Sequence, residues 1–598
     1  MRTILRKTAG RMFLCVLFLL ATDAALGAKR RFDQLVPHDV SSYGTVLHYR
    51  EALNKLKKTP YSALLEEPEV QEFFQQLTGE MSEGLEQFRE ATGVQPGEIE
   101  DLFSGQVAVA LRERFRLGAM MGGGAMARPP GMWALFLADL GPNQDRAEDV
   151  LDRLIRKAQE DPQVSVSSEE VGAHAVRHLT YQPNGAGVRP GDENLEPELK
   201  DRLGHLSTDG QPVHLYVSLE DGILAVAAGE RTPLEQHLTL RDGGELQPLS
   251  ESELYRDLQG RVEGTPDCVS FQNYGPIWEG IRHSSMPLPL PFEPADILTE
   301  LGIFGVKGQV TTVQIGQEGL SSDAFMLAPP PHKGIIKALV PRERVKVTPP
   351  SFVGSDAALY LGGHFDTQVF WQEIQRILQQ FAPLQYQQLR AQIDSPNQPL
   401  HVERELINTL GNRWFIYVPK EPLSGTEPQK LNLMLATDLR KPDVLRNTLG
   451  RLSQMQMMVT EQFQGATVYQ SPASQMGEIS VQVSLAVVGE KLIIASNPQM
   501  AKELVSGSRR EASPLLERED FQQTLPHLPG QPHAFFYLDQ KDVARWAWTG
   551  LGSLLQGGQM QLPSYETISR YLSVSSSSGR WTEDGLRMRT WIPYPTPE

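Results

Sequence analysis

The chain reads as an α+β protein made of two tandem similar modules, each a mainly antiparallel sheet with packed helices, behind an N-terminal signal peptide. Three observations predict this. Short apolar blocks recur in one order in the two halves, apolar β-branched runs are joined by turns containing Gly, and apolar stripes fall at helical spacing.

The N-terminal end comes first. Arg2, Arg6, Lys7 and Arg11 precede an apolar run over residues 12–21, followed by small residues with Ala25 and Gly27 near a plausible cleavage point. The run is about ten residues, roughly half what a helix needs to cross a bilayer. Residues 1–27 are therefore expected to be removed on export, and no later segment is apolar for long enough to act as an anchor. Cys15 lies inside the run behind Met12, Phe13 and Leu14, which is not the small-residue setting of a lipoprotein site. Its loss leaves Cys268 alone, so no intramolecular disulfide can form and stability must come from packing. Cys268, flanked by apolar residues, reads as a small buried hydrophobe.

The full chain has 56 Lys+Arg and 73 Asp+Glu, a net charge of -17. This acidic balance excludes a broad nucleic-acid surface and tight adhesion to anionic lipid, because both need clustered Lys and Arg. With 40% hydrophobic residues the composition is that of a globular protein.

The recurring blocks run as follows. Residues 133–140, ending Asp139-Leu140, reappear as 433–439, ending Asp438-Leu439, and each leads to Asp-Val-Leu at 149–151 and 443–445. Residues 172–176 correspond to 465–468, and the apolar pair 213–219 and 223–228 to 481–488 and 491–496. Later, 266–271 before Trp278 parallels 532–537 before Trp546, and Glu318-Gly319-Leu320 parallels Asp584-Gly585-Leu586. The shared order divides the chain into modules over 38–345 and 346–598, with the Pro-rich, basic stretch 341–350 as connector.

Val150, Leu151, Leu154, Ile155 and Ala158 form one helical stripe; Leu445, Leu449, Leu452, Met455 and Val459 form its counterpart. Ahead of each sheet stands another stripe: Val70, Phe74, Leu77, Met81, Leu85 and Phe88 in the first half, with Gly79 and Gly84 weakening it, and Trp371, Ile374, Leu378 and Phe381 in the second. The runs 213–219 and 223–228, joined by Glu220-Asp221-Gly222, read as a hairpin, as does 481–488 continuing through Gly489-Glu490.

Residues 92–105, followed by the apolar run 107–111, resemble a recurring element of large exported bacterial proteins assigned to a domain of unknown function. The resemblance implies a short helix, a Gly and an apolar strand, then an Asp-bearing strand, a helix and a hairpin. The second half departs from it, with a shorter 407–411 before the run 414–418. The family implies no catalytic residues.

Motifs that carry chemistry are scarce. His-Glu-x-x-His is absent; His174 and His178 are four apart, but their segment reads as strand, where both share one face, and a metal pair there competes with a surface or half-buried role. There is no Gly-x-Ser-x-Gly turn, and the Ser cluster at 573–579 reads as a polar turn. Gly122, Gly123 and Gly124 lack the Gly-Lys-Ser/Thr ending of a phosphate loop and read, with Pro129, Pro130 and Gly131, as a flexible loop. Asp139 and Asp438 are the best carboxylate candidates, since both end an apolar strand; the competing role is a turn or helix cap.

No catalytic residue, cofactor or metal set is assigned from the sequence. The leading expectation is an exported noncatalytic protein, periplasmic or extracellular, that binds a protein or cell-envelope component. The alternatives are a carrier of an apolar ligand, to which Met455, Met457 and Met458 would lend adaptable area, and a hydrolase with a site assembled from distant residues.

Overall fold

The structure, a computed structural model, describes residues 31–77, 94, 96–112, 133–160, 163–182, 212–282, 294–342, 347–393, 395, 400–421, 423–424, 429–476, 479–555 and 562–596. The expected signal peptide, the Gly122–Gly124 loop and the outer part of the first helical stripe (Met81, Leu85, Phe88) lie outside the described residues. The described fold is α+β, dominated by antiparallel sheet. Its two compact units are residues 1–288 with 307–317 and 558–564, and residues 289–306 with 318–557 and 565–598.

In the first unit the strands are β1 (Ser42–Val46), β2 (Val107–Arg112), β3 (Trp133–Asp139), β4 (Val164–Val171), β5 (His174–Tyr181), β6 (Val213–Glu220), β7 (Ile223–Ala228), β8 (Cys268–Asn273) and β9 (Gly308–Ile315). They pair antiparallel in the order β4-β5-β6-β7-β3-β2-β1-β8-β9. The β6–β7 hairpin forms as read: Asp221 and Gly222 take φ of 51 and 76°, the left-handed pair that a two-residue hairpin turn requires. Helix α1 (Tyr49–Leu56) and helix α2 (Gln144–Ala158) serve one sheet face, where Tyr49, Ala147 and Val150 pack with Phe136, Ala138, Val217 and Val226. Leu135 and Leu137, pointing the other way from β3, are wholly buried, and helix α3 (Thr232–Arg241) lies against β3 and β7 with Leu234 and Leu238 buried.

The second unit holds β10 (Gly319–Leu327), β11 (Ala357–His364), β12 (Leu410–Pro419), β13 (Leu423–Ser424), β14 (Gln429–Leu431), β15 (Met434–Leu439), β16 (Val459–Phe463), β17 (Ala466–Gln470), β18 (Ser474–Met476), β19 (Ile479–Val481), β20 (Ser484–Val488), β21 (Lys491–Ala495), β22 (Ala534–Asp539), β23 (Val574–Trp581) and β24 (Gly585–Pro593). Its main sheet runs β16-β17-β20-β21-β15-β12-β11-β22-β23-β24-β10, again antiparallel. A small sheet, β13-β14-β19-β18, stands beside it. Leu435 on β15 pairs with Ile416 and Ile494, as Leu135 on β3 pairs with Ala110 and Ala227.

One face of this sheet carries Tyr360, Phe415, Tyr417, Met434, Ala436, Phe535 and Tyr537, buried with Met500, Ala501, Leu504 and Val505 and with Phe521. The opposite face carries Leu439, Tyr469, Val487 and Leu492, packed with Leu445 and Leu449. Helix α4 (Thr367–Phe381) holds the expected Trp371, Ile374, Leu378 and Phe381, and helix α5 (Pro442–Gln454) holds Leu445, Leu449 and Leu452; helix α6 (Pro498–Gly507) supplies the Met500 to Val505 cluster, and helix α7 (Gln540–Leu555) follows β22. Asp366 caps α4, its carboxylate accepting from the amides of Gln368 and Val369.

The structure corrects three local expectations. The α5 stripe ends early: Met455 is its C-cap and Val459 begins strand β16, because Gln456 takes φ of 60° and breaks the helix. The run 481–488 is interrupted, with Val481 ending β19 and β20 beginning at Ser484. The Ser cluster at 573–579 is strand β23 and not a turn. Serine's preference for turns is outweighed by ladders on both sides, to β22 and β24, and Ser576 and Ser578 are small enough to be buried.

Candidate binding face

Across the middle of the second unit's sheet, one row of directly paired residues runs Leu435, Ile416, Leu361, Phe536, Ser577, Thr590. Side chains alternate along strands, so this row shares the face of Leu492 and Ile494 and lies opposite the Tyr360–Tyr537 core. On the β15 side the face is covered, where Leu492 packs with α5 residues Leu445 and Leu449. In the centre it is open: Leu361 is 37% exposed although its strand pairs on both sides, and Ile416 and Phe536 are half-buried. Antiparallel sheets commonly leave one face to water, and on this one Leu361, Ile416 and Phe536 bring apolar side chains together at the open centre.

The adjoining row is Trp414, Gly363, Ala534, Gly579, Met588. A Cβ at Gly363 would meet only Ala534 Cβ, at 3.8 Å, and one at Gly579 would meet Ala534, Leu586 and Met588 at 3.5 to 3.7 Å. The small residues thus leave a shallow channel between Trp414 and Met588, the latter 44% exposed.

The first unit has an equally placed row: Val226, Phe136, Val109, Gly44, Ser270, Thr311. It too is open at its centre, since a Cβ on Gly44 would meet nothing within 4 Å and Ser270 is exposed. Where the second unit carries Leu361 and Phe536, however, the first carries Gly44 and Ser270. Openness is common to both faces, and at the open centre only the second unit carries large apolar side chains.

The residues singled out in the sequence are placed elsewhere. Asp139 closes a turn: its Oδ1 accepts from the Gly141 amide at 2.9 Å, and its carbonyl accepts from Ser104 at 2.6 Å. Burial raises its pKa, against the Gly141 amide and the Ser104 hydroxyl. Gly105 is required beside it, because a Cβ there would lie 2.2 Å from Asp139 Oδ2. Asp438 is instead ion-paired with Arg413 and, at 2.8 Å, with Lys491. His174 and His178 do share one face of β5, but both His174 nitrogens are taken, by Glu220 and Asp242 at 2.7 Å each, with Arg241 alongside. Those carboxylates, Asp242 foremost, raise the His174 pKa against its burial.

Met455 and Met457 are exposed at the end of α5, while Met458 packs on the core. Cys268 sits half-buried on β8 between Val46 and Val313, and burial together with Asp267 pushes its thiol up to about 11. It is expected to react slowly with a thiol reagent and to speed up in denaturant; equal rates in both conditions would show an accessible thiolate.

One carboxylate pair escaped the sequence reading. Asp539 ends β22 and its Oδ1 accepts from the amides of Lys541 and Asp542 at the start of α7. Burial would raise both acids; Arg518 and Lys420 hold Asp539 low, whereas the Asp539 charge pushes Asp542 further up. An Asp-x-x-Asp at a strand-to-helix junction was the available signal, and its geometry is that of a helix cap. Among the described residues no group of three or more His, Cys, Asp or Glu is placed to hold a metal ion, and no helix is long and apolar enough to cross a membrane.

Residues 417–592 match a family described as "Protein of unknown function (DUF3352)". Apart from residues 558–564 the match lies within the second unit, and it includes Phe536, Ala534, Gly579 and Met588 of the open face. A comparison with curated proteins finds no match. Among solved structures, crystal form I of TP0453 aligns at 13% identity over 43% of this chain and 82% of that one, with a TM-score of 0.22. Crystal form III of TP0453 aligns at 12% identity over 42% and 94%, with a TM-score of 0.19. At these scores neither bears on the fold or the site.

Proposed function

We propose that the chain is an exported, noncatalytic binding protein built from two copies of one module, and that the open apolar face of the second unit holds a protein or cell-envelope partner. The reading is carried by Leu361, exposed at a sheet centre, and the half-buried Phe536 beside it, where the first unit has Gly44 and Ser270. An apolar centre on one of two equally placed open faces suits a surface given over to recognition, since exposed apolar area is costly in water unless something covers it. The matching strand orders support the two-copy reading. The acids weighed for catalysis close turns, cap a helix or join ion pairs.

A photo-crosslinking residue at Leu361, compared with one at Ser270, tests the reading in cell-envelope extracts of the producing organism. A discrete adduct is expected from position 361 and none from 270; equal labelling at both, or none at 361, would count against it. The same purified protein should begin near residue 28, and a retained Met1 would remove the export claim. The Gly363–Ala534–Gly579 channel favours a second reading, a slender apolar ligand. A fluorescent fatty acid that binds the wild type but not Gly363→Leu would select that reading over a protein partner.

A further inference from the structure

Two strands of the first unit bring three electron-pair donors to one point. His178 and Thr180 lie on the same face of β5, and Thr180 stands directly opposite His214 of β6. His178 Nε2 and His214 Nδ1 are 3.0 Å apart, and Thr180 Oγ1 is 3.1 Å from the first and 3.3 Å from the second. Such a triangle has the size of one face of a coordination shell. Ligand atoms about 2.1 Å from a cation are spaced roughly 2.9 Å apart at octahedral angles and roughly 3.4 Å at tetrahedral ones.

The rings are also prepared for ligation. His178 Nδ1 donates to Glu169 at 2.7 Å, and Glu169 is held by Arg231 at 3.0 Å. A carboxylate on Nδ1 keeps the proton there and leaves the lone pair on Nε2, the orientation that ligating histidines share. The His178 ring stacks on Tyr216 at 4.3 Å and 13°, which fixes its plane.

A purely structural role accounts for only part of this. Counting from the closing pair of each hairpin, His178 has Gln470 as its counterpart in the second unit, and Glu169 has Glu461. Gln470 donates to Glu461 at 3.2 Å, so the hydrogen bond across this strand pair does not need an imidazole. The counterpart of His214, two residues before the partner of Gln470, is Gln482. What the histidines add is two ring nitrogens 3.0 Å apart, both within hydrogen-bond distance of the Thr180 hydroxyl.

We propose that His178 Nε2 and His214 Nδ1, with Thr180 Oγ1 as a third donor, bind a late first-row divalent cation, Cu2+ or Zn2+, with water completing its shell. Imidazole nitrogen suits these ions, and Cu2+ leads the divalent first-row affinity order.

The test is titration of the full mature chain with Cu2+ and with Zn2+, followed by calorimetry and, for Cu2+, by electron paramagnetic resonance. One ion with nitrogen couplings from two imidazoles is expected. His178→Gln and His214→Gln, which install the residues of the second unit and so keep the fold, should each weaken binding at least about tenfold and lose the two-nitrogen signature. His174→Gln should leave both readouts intact, because its nitrogens face Glu220 and Asp242. Unchanged affinity in both Gln variants, equal loss in His174→Gln, or no binding by the wild type would overturn the proposal.

Discussion

Leu361→Ser combined with Phe536→Ser is expected to weaken partner binding by about tenfold while the second unit stays folded. Covering one large apolar side chain contributes about 1.5 to 3 kcal/mol over leaving it in water. Leu361 is 37% exposed and Phe536 half-buried in the free protein, so only part of that gain remains for a partner to supply. Together they amount to about 1 to 2 kcal/mol, on the order of tenfold in a dissociation constant. The fold should tolerate the change because the core of this unit lies on the opposite face, around Tyr360, Phe535 and Tyr537. Ser577, next in the same row, already carries the same side chain between two ladders. The variant is checked by the adduct yield from a crosslinker at Ile416 and by far-ultraviolet circular dichroism. A folded double variant that keeps the wild-type yield would remove the face from the binding account.

Acid is expected to destabilise the first unit through His237. This ring is 1% exposed and its Nδ1 is 3.0 Å from the Leu35 carbonyl, to which it donates; burial lowers its pKa to about 4. The unfolded chain takes up a proton at the ordinary value of about 6.5, so between roughly pH 6.5 and pH 4 the unfolded state holds more protons than the folded one. Stability therefore falls as pH falls through this window, by roughly 3 kcal/mol in all. His174 acts in the opposite sense. Its pKa is raised by Asp242 and Glu220, so its contribution is complete below about 6.5 and is lost as pH rises through the folded value. Urea unfolding of wild type and His237→Gln at about pH 7 and about pH 4.5 separates the two. The wild type should lose more stability than the variant on acidification, and parallel losses would mean that His237 is not protonated on unfolding.

Much of the architecture was legible along the chain because its causes are local. The turn at Asp221-Gly222 follows from two left-handed residues between apolar runs, and the stripes of Val150, Leu151, Leu154 and Ile155 and of Leu445, Leu449 and Leu452 follow from the helical period. The turn-closing alternative for Asp139 was readable for a similar reason, since an Asp at the end of a strand can reach an amide two residues on. Signals that compete locally were misread. The run 573–579 carries serine's turn preference, and only its neighbours β22 and β24 make it a strand.

The sequence by itself determined the fold class, the hairpins and the amphipathic helices, because periodicity and turn chemistry act over a few residues. Only the tertiary structure decided which sheet face stays open, because exposure depends on which helices pack above a strand and Leu361 looks no different in sequence from a covered leucine. It likewise decided that Glu169, His178, Thr180 and His214 meet, since β5 and β6 are joined through residues 183–212 and their register is set by pairing across that gap. Strand neighbours in a sheet are fixed by burial of the whole face, and no pattern within one segment encodes them.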